Sequence, residues 1–465
     1  MAAGVDSDPC PACYGATVNT IAAPLNGEAT WWRPQSTARR VPASLTGSRT
    51  AFLALVFFTC VLLLSPQAWF PILKVIRIAF LAAGIAMAAH VLERTAHKQP
   101  ITPMAPEIGI ALALVAWSVI TLPLSVWPTG SLRLLTDQYL KAIAFFWLLA
   151  TIITTPIRVR AIVWALVLCS IPLAGTGIWH YLSGDVMSTG VQGLVRVVGY
   201  MGSSGLTGNP NDLALMLNLI IPLAAALALS SRGLPRLIAA GALLLSVAGV
   251  VVTFSRAGFL ALAAILIMFI AVLARRKSAG AAIALVVIAL CVPAMLPQTY
   301  LDRLSTITNM HEDKTGSALG RYQDLYIAAD VVERNPIIGV GLGQDIIALN
   351  QARGRSTWRS VHNAYLQYAV DLGVPGFVLF AWLHLLCFRS ARAVEKRARH
   401  DPALEELAPL ATGVQISLGA FFVAAMFHPI AYQFYFFSIA GLAVALKNTA
   451  RAEMARGRVV SAVES

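Results

Sequence analysis

The feature that most constrains this chain is a series of apolar runs, each roughly 16 to 25 residues long. A helix rises about 1.5 Å per residue, so such a run crosses the roughly 30 Å hydrocarbon core of a bilayer. Backbone groups in that core have no water to bond, and the runs are too long and uniformly apolar for barrel strands. They are therefore expected to be helices. With 58% hydrophobic and 12% charged residues, the composition indicates an integral membrane protein.

The sequence predicts an all-α polytopic membrane protein with about twelve transmembrane helices. The predicted spans are 51–66, 70–91, 107–125, 136–154, 160–180, 212–230, 235–253, 257–274, 279–297, 363–387, 406–426 and 429–447. The expected organisation is a flexible N-terminal tail over 1–50, nine helices over 51–297, a large and partly helical loop over 298–362, three helices over 363–447, and a C-terminal tail over 448–465.

Positive charge predicts the orientation, because Lys and Arg are retained on the cytoplasmic side during insertion. With both termini cytoplasmic, 22 of the 35 Lys and Arg residues lie on that side, ten on the other and three within spans. This bias and contact with anionic lipids explain the net charge of +13, so nucleic acid is not an expected partner. The loop over 298–362 holds seven of the ten outer basic residues, which suggests an anionic substrate.

The cysteines predict neither a disulfide framework nor a metal site. Cys10 and Cys13 form an isolated C-x-x-C without further ligands nearby. The other four lie in predicted spans, where cysteine behaves as a small apolar residue.

Two polar motifs on the predicted outer side contain or follow an arginine. GNPNDLA at 208–214 ends a glycine-rich stretch that begins with Arg196, and it predicts a turn followed by a helix with Asn211 or Asp212 as its cap. TFSRAGF at 253–259 breaks two apolar runs and places Arg256 at the outer membrane boundary. A capped helix and a snorkelling arginine explain both motifs without a ligand; the alternative is that Arg196 and Arg256 contact an anion.

The long loop contains GSALGRYQDLYIAADVVERNPIIGVGLGQD at 316–345. Its pattern predicts a helix that begins near Arg321 and ends before Asn335. An arginine at a helix start favours an anion nearby, and an ion pair with Asp324 one turn on is the alternative. The G-x-G-x-G that follows lacks the preceding strand of a nucleotide-binding fold, so it predicts a tight turn.

Four of the eight histidines fall on the outer side in this topology: His180, His311, His362 and His428. A lone histidine is more often structural than catalytic. His362 differs because it lies where the loop meets the tenth predicted helix, is followed by Asn363, and has arginines nearby in the loop. An imidazole with a reference pKa of about 6.5 can act as a neutral general base near pH 7. His362 is therefore the candidate base, and Asn363 a residue that fixes it or the substrate.

These motifs together resemble the bacterial O-antigen ligase and O-antigen polymerase superfamily. The resemblance covers roughly 196–376 and rests on GNPNDLA, T-x-S-R-x-G, R…NPIIGVGLG, and an H-N-x9-G-x-x-G formed by His362, Asn363, Gly373 and Gly376. It implies a membrane-embedded glycosyltransferase, similar to the GT-C type, that takes a glycan from undecaprenyl pyrophosphate and attaches it to an acceptor in the periplasm.

The favoured activity is that of an O-antigen ligase, with lipid A core oligosaccharide as the acceptor on the periplasmic face of the inner membrane. His362 would take the proton of the acceptor hydroxyl, while Arg256 and Arg321 would bind the pyrophosphate. Asn363 and Arg196 are further candidate substrate contacts. Attack opposite the leaving group predicts inversion at the anomeric carbon, and arginines in place of a cation predict that no metal or other cofactor is needed.

Three alternatives stay open. The motifs hardly separate the ligase from an O-antigen polymerase, although the basic loop suits a phosphorylated lipid A core. A protein O-oligosaccharyltransferase is less favoured because we expect no large extra C-terminal domain. A carrier of anionic lipids is the non-enzyme alternative; it should place arginines midway across the bilayer between inverted repeats, and no internal repeat is visible in the sequence.

Overall fold

The structure is a computed structural model, and helices account for almost all of it. It describes residues 47–184, 186–188, 195–197, 199–200, 206–275, 280, 283, 285–287, 298–305, 316–354 and 358–464. All of these belong to one unit, Thr46–Ser465. Cys10 and Cys13 lie outside the described residues.

The first half of the chain forms seven helices and a short hairpin. The helices are α1 (Arg49–Leu64), α2 (Pro71–Val75), α3 (Ile78–Ala96), α4 (Pro106–Thr121), α5 (Pro128–Leu134), α6 (Leu140–Ile152) and α7 (Pro156–Ser183). Proline occupies the first turn of α4, α5 and α7, where its missing N–H has no helical partner to lose. After α7, the strands β1 (Val186–Ser188) and β2 (Val195–Val197) pair antiparallel, a small departure from the all-α prediction.

The second half adds nine described helices. They are α8 (Pro210–Ser230), α9 (Leu234–Val252), α10 (Arg256–Arg275), α11 (Gln298–Ser305), α12 (Ser317–Arg334), α13 (Asp345–Ala352), α14 (Ala364–Ala398), α15 (Ala408–Ala425) and α16 (Phe434–Glu464). Three of them, α11 to α13, lie in the loop predicted over 298–362. The segment 448–464, predicted as part of a tail, is helical because α16 continues through it.

Eight helices of the described part are long and apolar enough to cross a membrane, so the chain is a multi-pass membrane protein. They are α3, α4, α7, α8, α9, α10, α14 and α15. Of the other four predicted spans, 51–66 matches the 16-residue α1 and 429–447 includes the first part of α16. The span 136–154 divides into a π-helical turn and α6, and 279–297 lies mostly outside the described residues. The number twelve stays a prediction.

The predicted span 70–91 is wrong at its start. Arg77 has a left-handed backbone conformation, with φ of 50°, that interrupts the helix and separates α2 from α3. The long helix therefore begins at Ile78, and both Lys74 and Arg77 precede it. Hydropathy averages over such a break and does not detect it.

The centre of the bundle is α8, which α7, α9, α10 and α15 surround. A helix that is apolar on all sides is expected to be buried. Asn218, in the buried middle of α8, donates from Nδ2 to the carbonyl of Gly258 on α10 at 2.9 Å. The bond satisfies a buried polar group and fixes α8 against α10.

At the first turn of α4, a buried ion pair joins helices that are distant in sequence. Glu107 accepts from Nζ of Lys447 on α16 at 2.6 and 2.8 Å, and Ser390 on α14 donates to the same carboxylate. Removing one partner of such a pair leaves a desolvated charge, at a cost of about 3–5 kcal/mol. The pair therefore fixes α4, α14 and α16 at one end of the bundle.

The helix α14 is sharply bent at Gly373, whose φ of 70° and ψ of −177° separate segments 364–372 and 374–398. In a straight helix, Tyr368 and Phe380 would lie about 18 Å apart along the axis, yet their ring centroids are 4.2 Å apart. Tyr365 Oη likewise lies 3.2 Å from Nδ1 of His384, 19 residues further on. The first segment thus folds back alongside the second. The predicted span 363–387 is wrong, because only 374–398 is long enough to cross the bilayer.

The glycine-rich turn over 336–344 packs against this bend. Three backbone hydrogen bonds join them: from Val340 N–H to the Val370 carbonyl at 2.9 Å, from Gly341 N–H to the Asp371 carbonyl at 2.9 Å, and from Val374 N–H to the Pro336 carbonyl at 2.8 Å. A Cβ on Gly339 would lie 2.5 Å from the Asp371 carbonyl, and one on Gly373 would lie 2.2 Å from the Ile337 oxygen. The G-x-G-x-G is therefore a packing motif, in agreement with the predicted tight turn.

Candidate active site

His362 lies in the turn immediately before α14 and is half-buried. Its Nδ1 is 3.0 Å from the carbonyl oxygen of Ser360. A carbonyl oxygen can only accept, so Nδ1 carries the proton in this hydrogen bond and the neutral ring has its lone pair on Nε2. The local backbone thus selects the tautomer in which Nε2 can take up a proton.

The surroundings keep this ring neutral. Burial is the main cause that lowers the pKa of His362, to about 4, and the neighbouring guanidinium groups of Arg321 and Arg359 lower it further. The Ser360 carbonyl and the Asp324 carboxylate act in the opposite direction. At pH 7 the imidazole is therefore in the form that a general base requires. The structure also brings together two of the predicted site residues, His362 and Arg321.

Arg321 is half-buried on α12, which begins at Ser317 rather than at Arg321. It therefore lies one turn inside the helix, and the argument from a helix N-terminus does not apply to it. The carboxylate of Asp324, the alternative partner considered for Arg321, accepts from Arg353 at 2.6 Å and Arg359 at 3.3 Å.

Three of the seven basic residues of the loop pair with carboxylates of the same loop. Besides Arg353 and Arg359 on Asp324, Arg334 pairs with Asp330 at 2.8 Å on the surface. These two carboxylates balance two of the three charges, and one positive charge of the group formed by Arg353, Asp324 and Arg359 stays unbalanced. Two others, Lys314 and Arg355, lie outside the described residues.

Asn363 caps the first segment of α14. Its Oδ1 accepts from the N–H groups of Tyr365 and Leu366, both at 3.0 Å. Asparagine is among the preferred residues at this position because it satisfies otherwise unpaired N–H groups. The cap fixes the chain one residue after His362. Contact between Asn363 and a substrate stays a prediction.

Arg256 is the first residue of α10 and is half-buried. The preceding Ser255 accepts at Oγ from the N–H of Gly258 at 3.1 Å and donates to Oδ1 of Asn211 at 2.8 Å. This bond joins TFSRAGF to GNPNDLA, two motifs that sequence alone could not place together.

Two predictions in the region 196–214 have different outcomes. The cap of α8 is Asn209, whose Oδ1 accepts from the Asn211 N–H at 2.8 Å, so the predicted cap at Asn211 or Asp212 is wrong. Arg196 pairs with Met187 in the hairpin, but its side chain lies outside the described part of the structure. Its contact with a substrate stays a prediction.

The segment 426–433, between α15 and α16, contacts both the start of α8, which is bonded to the motif of Arg256, and the first segment of α14, which follows His362. His428 is buried, with Nδ1 4.0 Å from Oδ1 of Asp212 at the start of α8. Tyr432 donates to Oδ2 of Asp371 at 2.9 Å, close to the bend of α14. The starts of α8 and α10 and the first segment of α14 thus lie at the same end of the bundle. That Arg256 and Arg321 reach one ligand stays a prediction.

Sequence reasoning missed Asp345, the first residue of α13. This buried carboxylate accepts at Oδ2 from the hydroxyl of Ser360 and from the N–H of Val361 at 2.8 Å, the two residues that precede His362. Burial raises its pKa, although the hydrogen bonds oppose the shift. Its only sequence signal was an acidic residue directly after the glycine-rich turn.

Within the part of the chain that the structure describes, no three His, Cys, Asp or Glu side chains come together as a metal would require. Independence from metal stays a prediction. The guanidinium group of Arg321, which lowers the pKa of His362, is a permanent positive charge near the ring.

The fold and this site define a class: a multi-pass helical membrane protein with a neutral histidine and an arginine at one end of the bundle. Residues 241–381 match the family model described as O-antigen ligase, which confirms the resemblance to that superfamily. The family implies a membrane enzyme of the glycosyltransferase type. Residues 41–227 match a second model, described as a family of unknown function (DUF5935). The search of curated proteins found no match.

Proposed function

We propose that the chain is an O-antigen ligase, which moves the O-antigen glycan from undecaprenyl pyrophosphate to lipid A core oligosaccharide at the periplasmic face of the inner membrane. The observation that carries the proposal is the geometry of His362, whose Nδ1 bonds the Ser360 carbonyl and leaves the lone pair on Nε2, beside Arg321. The family match over 241–381 includes Arg256, Arg321 and His362 and supports the same activity.

His362 acts as the general base. Its Nε2 takes the proton of an acceptor sugar hydroxyl as the hydroxyl oxygen bonds to the anomeric carbon of the donor. The bond from that carbon to the pyrophosphate oxygen breaks, and undecaprenyl pyrophosphate leaves with the electron pair. Attack from the face opposite the leaving group inverts the anomeric configuration.

Arginines stabilise the leaving group. Negative charge grows on the pyrophosphate as its bond to the sugar breaks, and preorganised cations favour that transition state over the bound donor. Arg321 is beside the base, and Arg256 starts a helix at the same end of the bundle. Their planar, permanently charged groups bond phosphate oxygens in pairs, so the reaction needs no metal ion. Asn363 and Arg196 are proposed as additional substrate contacts.

The test is transfer by purified protein in lipid bilayers supplied with donor lipid, rough lipopolysaccharide and excess chelator. We expect a ladder of modified lipopolysaccharide despite the chelator. Unmodified lipopolysaccharide with a lengthened donor glycan would identify a polymerase instead. If neither product forms, the enzyme proposal fails, and movement of the donor lipid across the bilayer would then favour the carrier.

A further inference from the structure

A buried carboxylate holds the backbone from which His362 projects. Asp345 is almost fully buried, and its Oδ2 accepts from Ser360 Oγ and from the Val361 N–H at 2.8 Å. Its Oδ1 lies 3.4 Å from Nε2 of Gln367 in the first segment of α14. One side chain thus contacts the chain on both sides of His362.

Asp345 is itself fixed from behind. Its backbone N–H donates to Oδ1 of Asp371 at 2.8 Å, and Tyr432 donates to the other oxygen of Asp371 at 2.9 Å. Both carboxylates are therefore engaged in a fully buried network that spans α13, α14 and the segment before α16. Such networks are rigid when their members are satisfied.

Ser360 links this network to the imidazole. Its hydroxyl donates to Asp345, while its carbonyl accepts from Nδ1 of His362. If Ser360 shifts, the acceptor that selects the histidine tautomer shifts with it. A displacement of about 1 Å in a catalytic group can lower a rate by about 100-fold.

We propose that Asp345 is a positioning residue: through Ser360, it holds the carbonyl that keeps His362 in the Nδ1–H tautomer with Nε2 available. This inference rests on the proposed function, in which His362 is the base. It adds a carboxylate that acts on the base indirectly, through a serine whose side chain and carbonyl bond different partners.

The test compares Ser360→Ala, which removes the hydroxyl, with Ser360→Thr, which keeps it. Ser360 is half-buried, so both variants are expected to fold. Asp345→Ala removes the carboxylate itself, and Asp330→Ala, in the exposed pair with Arg334, is the matched control. For each protein, kcat and KM of transfer are measured between about pH 4 and pH 8, with thermal unfolding recorded alongside.

We expect Ser360→Ala to lower kcat by about 10- to 100-fold with little change in KM, since orientation affects the reacting geometry more than donor binding. A loosened, hydrated ring should also lose activity at a higher pH than the wild type, because burial, the largest cause of the low pKa, is reduced while Arg321, Arg359 and Asp324 still face the ring. Weakening of the Ser360 carbonyl bond, which raises the pKa, opposes this shift but is a smaller cause. Asp345→Ala should behave alike, whereas Ser360→Thr and Asp330→Ala should match the wild type.

Wild-type kcat and pH dependence in Ser360→Ala would overturn the proposal. An equal loss of kcat in folded Ser360→Ala and Ser360→Thr would also overturn it, because Ser360→Thr keeps the hydroxyl. If even the wild type transfers no glycan, the proposed function fails, and the positioning of His362 by Asp345 is then tested without substrate. The pH dependence of His362 modification by diethyl pyrocarbonate, which needs no substrate, then decides: an unchanged profile in Ser360→Ala contradicts positioning, and a shift to higher pH supports it.

Discussion

The protonation state of His362 follows from its immediate neighbours. The Ser360 carbonyl holds the proton on Nδ1, while burial and the nearby arginines oppose a second proton on Nε2. The residue types could be identified from the sequence, because a histidine beside an asparagine after a basic loop is unusual. The roles of the Ser360 carbonyl and of the buried Asp345 could not be identified from the sequence, since both depend on how the loop folds over α14.

The low pKa of His362 predicts an unusual pH dependence. A base must be neutral to act, and this ring stays neutral until the pH falls through about 4. Transfer should therefore be almost unchanged from pH 7 to about pH 5.5, where a histidine of ordinary pKa would lose about 90% of its neutral form. Initial rates in reconstituted bilayers measure this, and a midpoint near 6.5 would show that the ring is hydrated.

The two roles of Asn363 can be separated by substitution. Asn363→Ala removes the cap and should lower the free energy of unfolding by about 0.5–2 kcal/mol. Asn363→Asp keeps an oxygen for the N–H groups of Tyr365 and Leu366, so its stability should stay near that of the wild type. Thermal unfolding and KM are measured for both. An unchanged KM in a stable Asn363→Asp protein would contradict substrate contact through the amide.

At the scale of elements, the bend in α14 determines where His362 lies. Segment 364–372 folds back on 374–398, which directs the turn with His362 toward the side of α14 that carries His384. Hydropathy predicted one continuous span because both segments are apolar. A signal was present, since glycine at 373 followed by proline at 375 is typical of a helix end.

Gly373 should not tolerate a side chain. Its backbone conformation is essentially restricted to glycine, and a Cβ there would lie 2.2 Å from the Ile337 oxygen. Gly373→Ala should lower the unfolding temperature and abolish transfer. Gly241→Ala, in α9 with no atom within 4 Å of the added Cβ, is the matched control and should behave as the wild type. Equal stability of the two variants would contradict the bend.

At the scale of the whole molecule, alternating spans predicted that the polar motifs share one side of the membrane. The described contacts agree in bringing the starts of α8 and α10 and the first segment of α14 to one end of the bundle. Charge bias predicts that this end faces the periplasm. The sequence could supply the order and the side, because both follow from hydropathy and charge, but not the contacts between motifs.

Orientation can be measured by cysteine labelling in a variant without its native cysteines. Cysteine at Asp330 on α12, whose side chain is 46% exposed, should react with a membrane-impermeant maleimide added outside the inner membrane. Cysteine at the exposed Lys396, near the other end of α14, should react only after the membrane is permeabilised. The reverse pattern would place the loop in the cytoplasm and contradict a periplasmic active site.

The most direct test of the central claim compares His362→Ala with the wild type in the reconstituted transfer reaction, together with binding of the donor lipid. We predict that the variant loses transfer by at least about 100-fold while its affinity for the donor is retained, because a general base acts on the acceptor hydroxyl and Arg256 and Arg321 remain in place. Wild-type transfer by a folded His362→Ala protein would contradict the account.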